Sequence, residues 1–505
     1  MKCLVAVWPG QKYKKVGNSR VVDKIGCIAM ARHNSPLDQP TNRLLTDFFV
    51  LWPIIQPYRL NCLFLMKYQP LSPDLFQLNR KRFVREMKAS SIAVFNSNDM
   101  MPRSGDQFYP FRQSAGLYYL CGIDQEETLL LLFPDCPKEG FKELLLIKRT
   151  NEHIAVWDGH KYTKEEARAA SGIEKVLFLD EADVILHELF LLAENVYVNL
   201  NENDKFITEV ETRELRYTRL LKQKYPAHTY LRAQPIMKKL QMIKSQHEID
   251  AIQHAVNITG DAFRRVCEFV KPGIWEHEVE AEIIHEFIRR RCTGHAYEPI
   301  IATGKNACVL HYTENNKQCK DGDVLLMDFG CEYANYAADL TRSIPVSGMF
   351  TERQKAVYNA VLRVMKEAKA LLVPGNTIDE LNKEVGKMME SELLDLGLIS
   401  RDEVANQSKD KPAYKKYFMH GTSHHLGLDV HDLCLRYEPF RAGMIFTCEP
   451  GIYIPEENLG IRLENDILIT DDGPVDLFAN IPIEVEEIEA MMQSLVGWSD
   501  GRLTN

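Results

Sequence analysis

The apolar and polar positions fall into three regimes along the 505 residues. From Met66 to about Ala233, short apolar runs alternate with amphipathic stretches. SSIAVF, ETLLLLFP and ELLLIKR predict strands, and Leu75 to Lys88 predicts a helix. That alternation predicts an α/β domain over residues 66–233 with its own core. From Gln234 onward the pattern becomes longer and repeats. Ser245 and Glu248 form a capping-box signature ahead of Ile249, Ile252, Val256, Phe263, Val266 and Val270, and Pro272-Gly273 ends that helix. Thr351 and Gln354 repeat the signature ahead of Val357, Val361, Met365 and Leu372, with a stop at Pro374-Gly375. Each stop leads into a second helical stretch that opens with acids, Glu276 and Glu278 in one half and Asp379 and Glu380 in the other. Each half then closes in a β-ribbon. Residues 234–505 therefore predict a duplicated α+β domain with its site between the halves.

The two ribbons carry the chemistry. In DVLLMDFGCEYANYAADLTR, the apolar run Val324–Met327 reads as a buried strand leading to Asp328, and small and polar residues turn the chain back to Asp339. A turn centred between Tyr333 and Ala334 would set Asp328 opposite Asp339 on one face. In IFTCEPGIYIPEENLGIRLENDILIT, a turn centred between Glu456 and Glu457 would do the same for Glu449 and Glu464. Two carboxylates ~4 Å apart at an effective dielectric of ~20 repel by about 4 kcal/mol. A bound cation is the usual counterweight.

Between the ribbons lies MHGTSHHLGLDVHD, with His420, His424, His425 and His431, and His311 precedes the first ribbon in VLHYTEN. Carboxylates alone suit Mn, Mg or Ca, whereas one imidazole moves the preference to Mn, Co, Fe or Zn. Spacing alone does not single out the histidine that binds metal. In the earlier segment RSGDQFYPFRQSAGLYYLCG, the aromatics read as core and turn packing and Arg112 as a candidate pocket residue.

Charge divides the chain. Residues 1–65 hold nine Lys and Arg, three Asp and no Glu, leaving 52 basic and 68 acidic residues in the remainder. Their apolar part, Phe48–Leu65, starts too late for a secretory signal. Only Ser19 and Ser35 occur there, few for a transit peptide, and the expectation is a translation start at Met66. The net charge of −10 argues against a nucleic-acid partner. Twelve scattered cysteines without a CxxC pair suit a reduced, cytoplasmic protein. No apolar run reaches the length of a membrane span.

The pieces LHYTEN, MDFGCEYANYAADLTR, MHGTSHHLGLDVHD, TCEPGIYI and GIRLENDI together resemble the Xaa-Pro aminopeptidases, also called aminopeptidase P. The closing PIEVEEIEAMM is similar to that family's last helix, and RSGDQFYPFRQ to its N-terminal domain. The resemblance covers about residues 66–505. It implies a pita-bread fold around two divalent ions, usually Mn2+. By position it implies the ligands Asp328, Asp339, His424, Glu449 and Glu464, with Asp339 and Glu464 bridging. Asp328 would serve one ion, and His424 and Glu449 the other. It gives His311, His420 and His431 contacts to substrate and reacting carbonyl, and Arg462 the task of orienting a bridging carboxylate and lining the substrate site. His425 stands where relatives carry an aromatic and receives no role.

The implied reaction removes the N-terminal residue ahead of a proline, by a hydroxide shared between two ions ~3.5–4 Å apart. His431 would hydrogen-bond the developing oxyanion, and Glu449 would pass a proton to the leaving nitrogen. Three rivals remain: a prolidase cutting only Xaa-Pro dipeptides, a methionine aminopeptidase, and a non-catalytic peptide-binding module of the same fold. Relatives are dimers or tetramers, so homo-oligomers are expected.

Overall fold

The structure, a computed structural model, describes residues 68–203, 205 and 209–499, with side chains as far as Gln493. The expectation about residues 1–65 lies outside the described residues.

The upstream region is built on a six-stranded mixed sheet. Its order is Val176–Phe178, Glu143–Ile147, Leu129–Leu132, Ser91–Asn96, Asn195–Val198, Thr229–Arg232. The central strand runs antiparallel to Leu129–Leu132 and parallel to Asn195–Val198. Side chains alternate between faces, so each strand feeds two cores. Ile92, Val94, Leu129, Leu131, Val196 and Val198 pack on one side against Leu189, Phe190 and Leu221. Ala93, Phe95, Leu130, Leu132 and Tyr197 face the other way, towards Leu75, Phe76 and Phe83 of the helix Pro73–Arg85, in a core continuous with that of the downstream region. That helix starts at Ser72, whose hydroxyl accepts from the Asp74 amide, with Pro73 in the first turn where its missing N–H costs nothing. Part of the aromatic segment behaves differently from its sequence reading. Tyr118 and Tyr119 are buried, but Phe108 and Tyr109 are 51% and 55% exposed at the end of the small ribbon Pro102–Ser104/Gln107–Phe108.

Downstream, the helices Gln246–Phe269 and Glu276–Arg289 precede the first ribbon, and Glu352–Ala370 and Ile378–Asp395 precede the second. Both capping boxes form. Ser245 N donates to Glu248 Oε2 (2.8 Å), and Thr351 N to Gln354 Oε1 (2.9 Å). The helix Glu352–Ala370 stops two residues short of Leu372, which is buried beyond its end.

The ribbon registers differ in one respect from expectation. In the second ribbon Cys448 pairs with Asn465 and Gly451 with Arg462, which centres it between Glu456 and Glu457 as read from the sequence. In the first, Asp328 pairs with Thr341, not Asp339, and Tyr333 with Tyr336. The turn is centred between Ala334 and Asn335, both at positive φ (51° and 64°), as a two-residue hairpin turn of the I′ kind requires. The earlier centre followed from setting Asp328 directly opposite Asp339, whose midpoint falls between Tyr333 and Ala334. The slip displaces Asp339 by two places along its strand, and two places preserve the face. At the crossing Gly330 has no room for a side chain: a Cβ would lie 1.7 Å from the Ala338 carbonyl oxygen. A bridge between Thr341 and Glu464 joins the two ribbons. Among the described residues no helix is long and apolar enough to cross a membrane.

Candidate metal centre

The joined ribbons place Asp328, Asp339, Glu449 and Glu464 around a cavity of about 480 Å3, also lined by His311, His420, His424, His431, Arg462, Tyr297 and Lys205. Asp328 sits near the end of its strand and Asp339 immediately before the returning one. The Tyr297 hydroxyl lies 2.7 Å from Asp328 Oδ1 and also contacts Asp339 Oδ1. One phenolic proton can satisfy one of these oxygens. The other is left facing a lone pair unless a proton or a cation intervenes.

His424 poses the same problem more sharply. Its Nδ1 lies 3.0 Å from the His425 carbonyl oxygen, which can only accept, so Nδ1 carries the proton. Burial, followed by the neighbouring His431, pushes its pKa well below the ordinary histidine value, so the ring is neutral. The bare Nε2 then points at Asp339 Oδ2 (3.6 Å) and Glu449 Oε1 (3.7 Å). A lone pair directed at two carboxylates is repulsive, and the arrangement becomes favourable with a divalent cation among them. Ligand atoms of Asp339, His424 and Glu464 all lie within 4.8 Å of one another. Three carboxyls are held above their ordinary pKa values, by burial first. Asp339 is raised by burial and then by Asp328, Glu464 by burial and then by Asp339, and Glu449 by burial to about 7. The donor set fits a first-row divalent ion.

A cationic and hydroxylic frame holds these ligands. Arg462 Nη2 donates to Asp328 Oδ2 (2.5 Å), Nη1 to the Tyr453 hydroxyl (3.0 Å) and Nε to Thr341 Oγ1 (3.3 Å). Thr341 Oγ1 in turn donates to Glu464 Oε2 (2.6 Å). The resemblance made Arg462 the orienter of a bridging carboxylate, Asp339 or Glu464. Its hydrogen bond goes instead to Asp328, and it reaches Glu464 only through Thr341. The reason is register: Asp328 pairs with Thr341, and Thr341 bridges to Glu464, so the guanidinium beside them meets Asp328 first. His420 is locked between the Gly421 carbonyl on Nδ1 and the Tyr453 hydroxyl on Nε2, each at 2.7 Å, and burial lowers its pKa to about 3. His431 meets His424 edge-on at 4.3 Å between centroids, and burial lowers it to about 4. His425 faces away and packs on Phe446 at 4.0 Å, as an aromatic would.

Tyr297, Tyr453 and Lys205 carried no signal in the sequence. Thr341 did: it follows Asp339 by two residues and so shares its face. Arg112 does not line this cavity. It pairs with Glu332 (2.6 Å) and Asp429 (3.2 Å).

Residues 250–471 match the family described as metallopeptidase family M24, and residues 76–197 the aminopeptidase P N-terminal domain. Xaa-Pro aminopeptidase of Escherichia coli K12 is 34% identical over 437 residues, spanning 84% of this chain and 98% of that relative. The chain belongs to the aminopeptidase P group of metallopeptidase family M24. Human Xaa-Pro aminopeptidase 3 is 30% identical over 82% of this chain and 83% of its own length. Among solved structures, a putative aminopeptidase P from Bacillus anthracis superposes with a TM-score of 0.78 at 33% identity, covering 84% of this chain and 99% of that one. Aminopeptidase P from E. coli with the inhibitor Pro-Leu gives 0.77 at 32%, covering 85% and 100%. The paired helices and ribbons downstream of residue 245 are thus the pita-bread fold of aminopeptidase P, and the enzyme is a hydrolase that uses divalent metal.

Proposed function

We propose that this chain is an Xaa-Pro aminopeptidase, releasing the first residue of peptides whose second residue is proline. The observation that carries the reading is the His424 Nε2 lone pair aimed at the Asp339 and Glu449 carboxylates inside a peptide-sized cavity. Asp328, Asp339, His424, Glu449 and Glu464 would hold two divalent ions, with Mn2+ the best match to four carboxylates and one imidazole. When bound, such ions supply an activated water and polarise the scissile carbonyl.

The remaining steps belong to the protein. Proline at the second position makes a tertiary amide with fixed φ, so the cavity must accept a bent, rigid chain. His431, beside His424, is placed to hydrogen-bond the carbonyl oxygen as charge develops on it. His311 and His420 line the same cavity and position the peptide. Glu449 would take up the proton given up by the attacking water and hand it to the leaving nitrogen. Arg462 fixes Asp328 and, through Tyr453, the ring of His420. The same reading places the enzyme in the cytoplasm as a homo-oligomer, in keeping with its scattered cysteines and with the expected assembly of relatives.

The test is hydrolysis of an Xaa-Pro-Yaa tripeptide and an Xaa-Pro dipeptide by the purified chain, with and without Mn2+. Metal-dependent cleavage of the tripeptide supports the proposal. Cleavage of the dipeptide alone would make the enzyme a prolidase, and inactivity on both with metal bound would leave only a binding module.

A further inference from the structure

The guanidinium of Arg112 ties together the two chain segments that carry the candidate ligands, although it lies outside the cavity. Its Nε donates to Glu332 Oε2 (2.6 Å), Nη1 to Asp429 Oδ1 (3.2 Å) and Nη2 to the Leu428 carbonyl (2.5 Å). Glu332 is four residues beyond Asp328 on the continuing strand of the first ribbon, and Thr293 Oγ1 (2.8 Å) holds its other oxygen. Leu428 and Asp429 lie midway along the loop that has His424 at one end and His431 at the other. Other upstream contacts act on the same two segments. Asn203 Nδ2 donates to the His431 carbonyl (3.3 Å), and the Gln69 amide to the Tyr333 hydroxyl at the ribbon's tip (3.3 Å). Without the guanidinium, the carboxylates of Glu332 and Asp429 would lose their common cation, and the Leu428 carbonyl its donor.

We propose that Arg112 is a positioning residue for the metal centre, through which the upstream α/β region sets the spacing between the Asp328 ribbon and the His424–His431 loop. A planar fork with donors on three sides can meet two carboxylates and a carbonyl at once, and an ammonium on a flexible stem cannot hold all three in one plane. The inference rests on the metallopeptidase reading of the cavity.

The test compares wild type with Arg112→Ala, Arg112→Lys and the triple variant Arg112→Met/Glu332→Gln/Asp429→Asn, in which all three charges are removed together. Thermal unfolding, Mn2+ titration by calorimetry, and kcat and KM on an Xaa-Pro-Yaa peptide are measured for each. Groups that orient ligands typically change metal affinity or activity by about 10–100-fold. Arg112→Ala should lower kcat at least about tenfold with KM within about twofold, and should weaken Mn2+ binding by a similar factor. Arg112→Lys should recover only part of this. The triple variant should regain wild-type unfolding temperature while its kcat and Mn2+ affinity stay low. Unchanged kcat and Mn2+ affinity in Arg112→Ala would overturn the proposal. Full recovery of both in the triple variant would also overturn it, reducing Arg112 to charge balance. If the wild type cleaves no Xaa-Pro peptide, the functional reading fails, while the Mn2+ titrations still decide the role of Arg112.

Discussion

Loading the centre with metal at pH 7 should expel protons, and the number can be bounded from the structure. Glu449 has its pKa pushed to about 7 by burial, so close to half of its carboxyls are protonated there. Asp339, raised by burial and then by Asp328, and Glu464, raised by burial and then by Asp339, add to that proton count. His424 is already neutral and contributes none. Each metal-bound carboxylate must be ionised, so saturation with Mn2+ should release at least about half a proton per chain at pH 7. Titration calorimetry in two buffers of different ionisation enthalpy gives this number as the slope of apparent heat against buffer enthalpy. The same groups make the metal-free enzyme sensitive to pH. A carboxyl moved from its usual 4.5 to about 7 is worth about 3 kcal/mol at 1.36 kcal/mol per tenfold change. Because the folded state holds that proton more tightly than the unfolded chain, the contribution is complete below about 4.5 and lost as the pH rises through about 7. The unfolding temperature of metal-free enzyme should therefore fall between pH 5 and 8, roughly the window in which Mn2+ should restore it. A slope of zero at pH 7, with Mn2+ bound, would refute the claim that burial and mutual repulsion of these carboxylates shape the cage.

Thr341→Val deletes the hydroxyl that serves Glu464 and accepts from Arg462, and should weaken Mn2+ binding about 10–100-fold by calorimetry while costing roughly 1 kcal/mol in urea unfolding. Asp339→Ala should abolish both metal loading and peptide turnover, read by metal analysis after dialysis and by the tripeptide assay; full activity would contradict the scheme. Tyr453→Phe cuts the link from Arg462 to His420, and should reduce kcat more than KM without lowering metal content. Gly330→Ala drives a methyl into the Ala338 carbonyl and should destabilise the protein by more than about 3 kcal/mol or prevent folding, followed by circular dichroism.

Much of this architecture follows from local chemistry. Periodicity and capping residues located the paired helices, because a helix buries one stripe and needs its first amides satisfied, and Ser245–Glu248 and Thr351–Gln354 do this within four residues. Alternation along the ribbons put each acid pair on a single face. The alternation has a period of two, so a register displaced by two residues in the first ribbon still left Asp328 and Asp339 together. The turn itself was not legible, since Ala334 and Asn335 adopt left-handed backbone that only the closed ribbon stabilises. Relations between distant segments were decided by the tertiary structure alone. The partners of Arg462, the shared hydroxyl of Tyr297, the direction of the His424 lone pair and the three-way clasp of Arg112 on Glu332, Leu428 and Asp429 join residues up to 317 positions apart. No spacing rule reaches that far. A strand or helix constrains its own neighbours, whereas a side chain held across the core answers to whatever the packing of separate elements brings beside it.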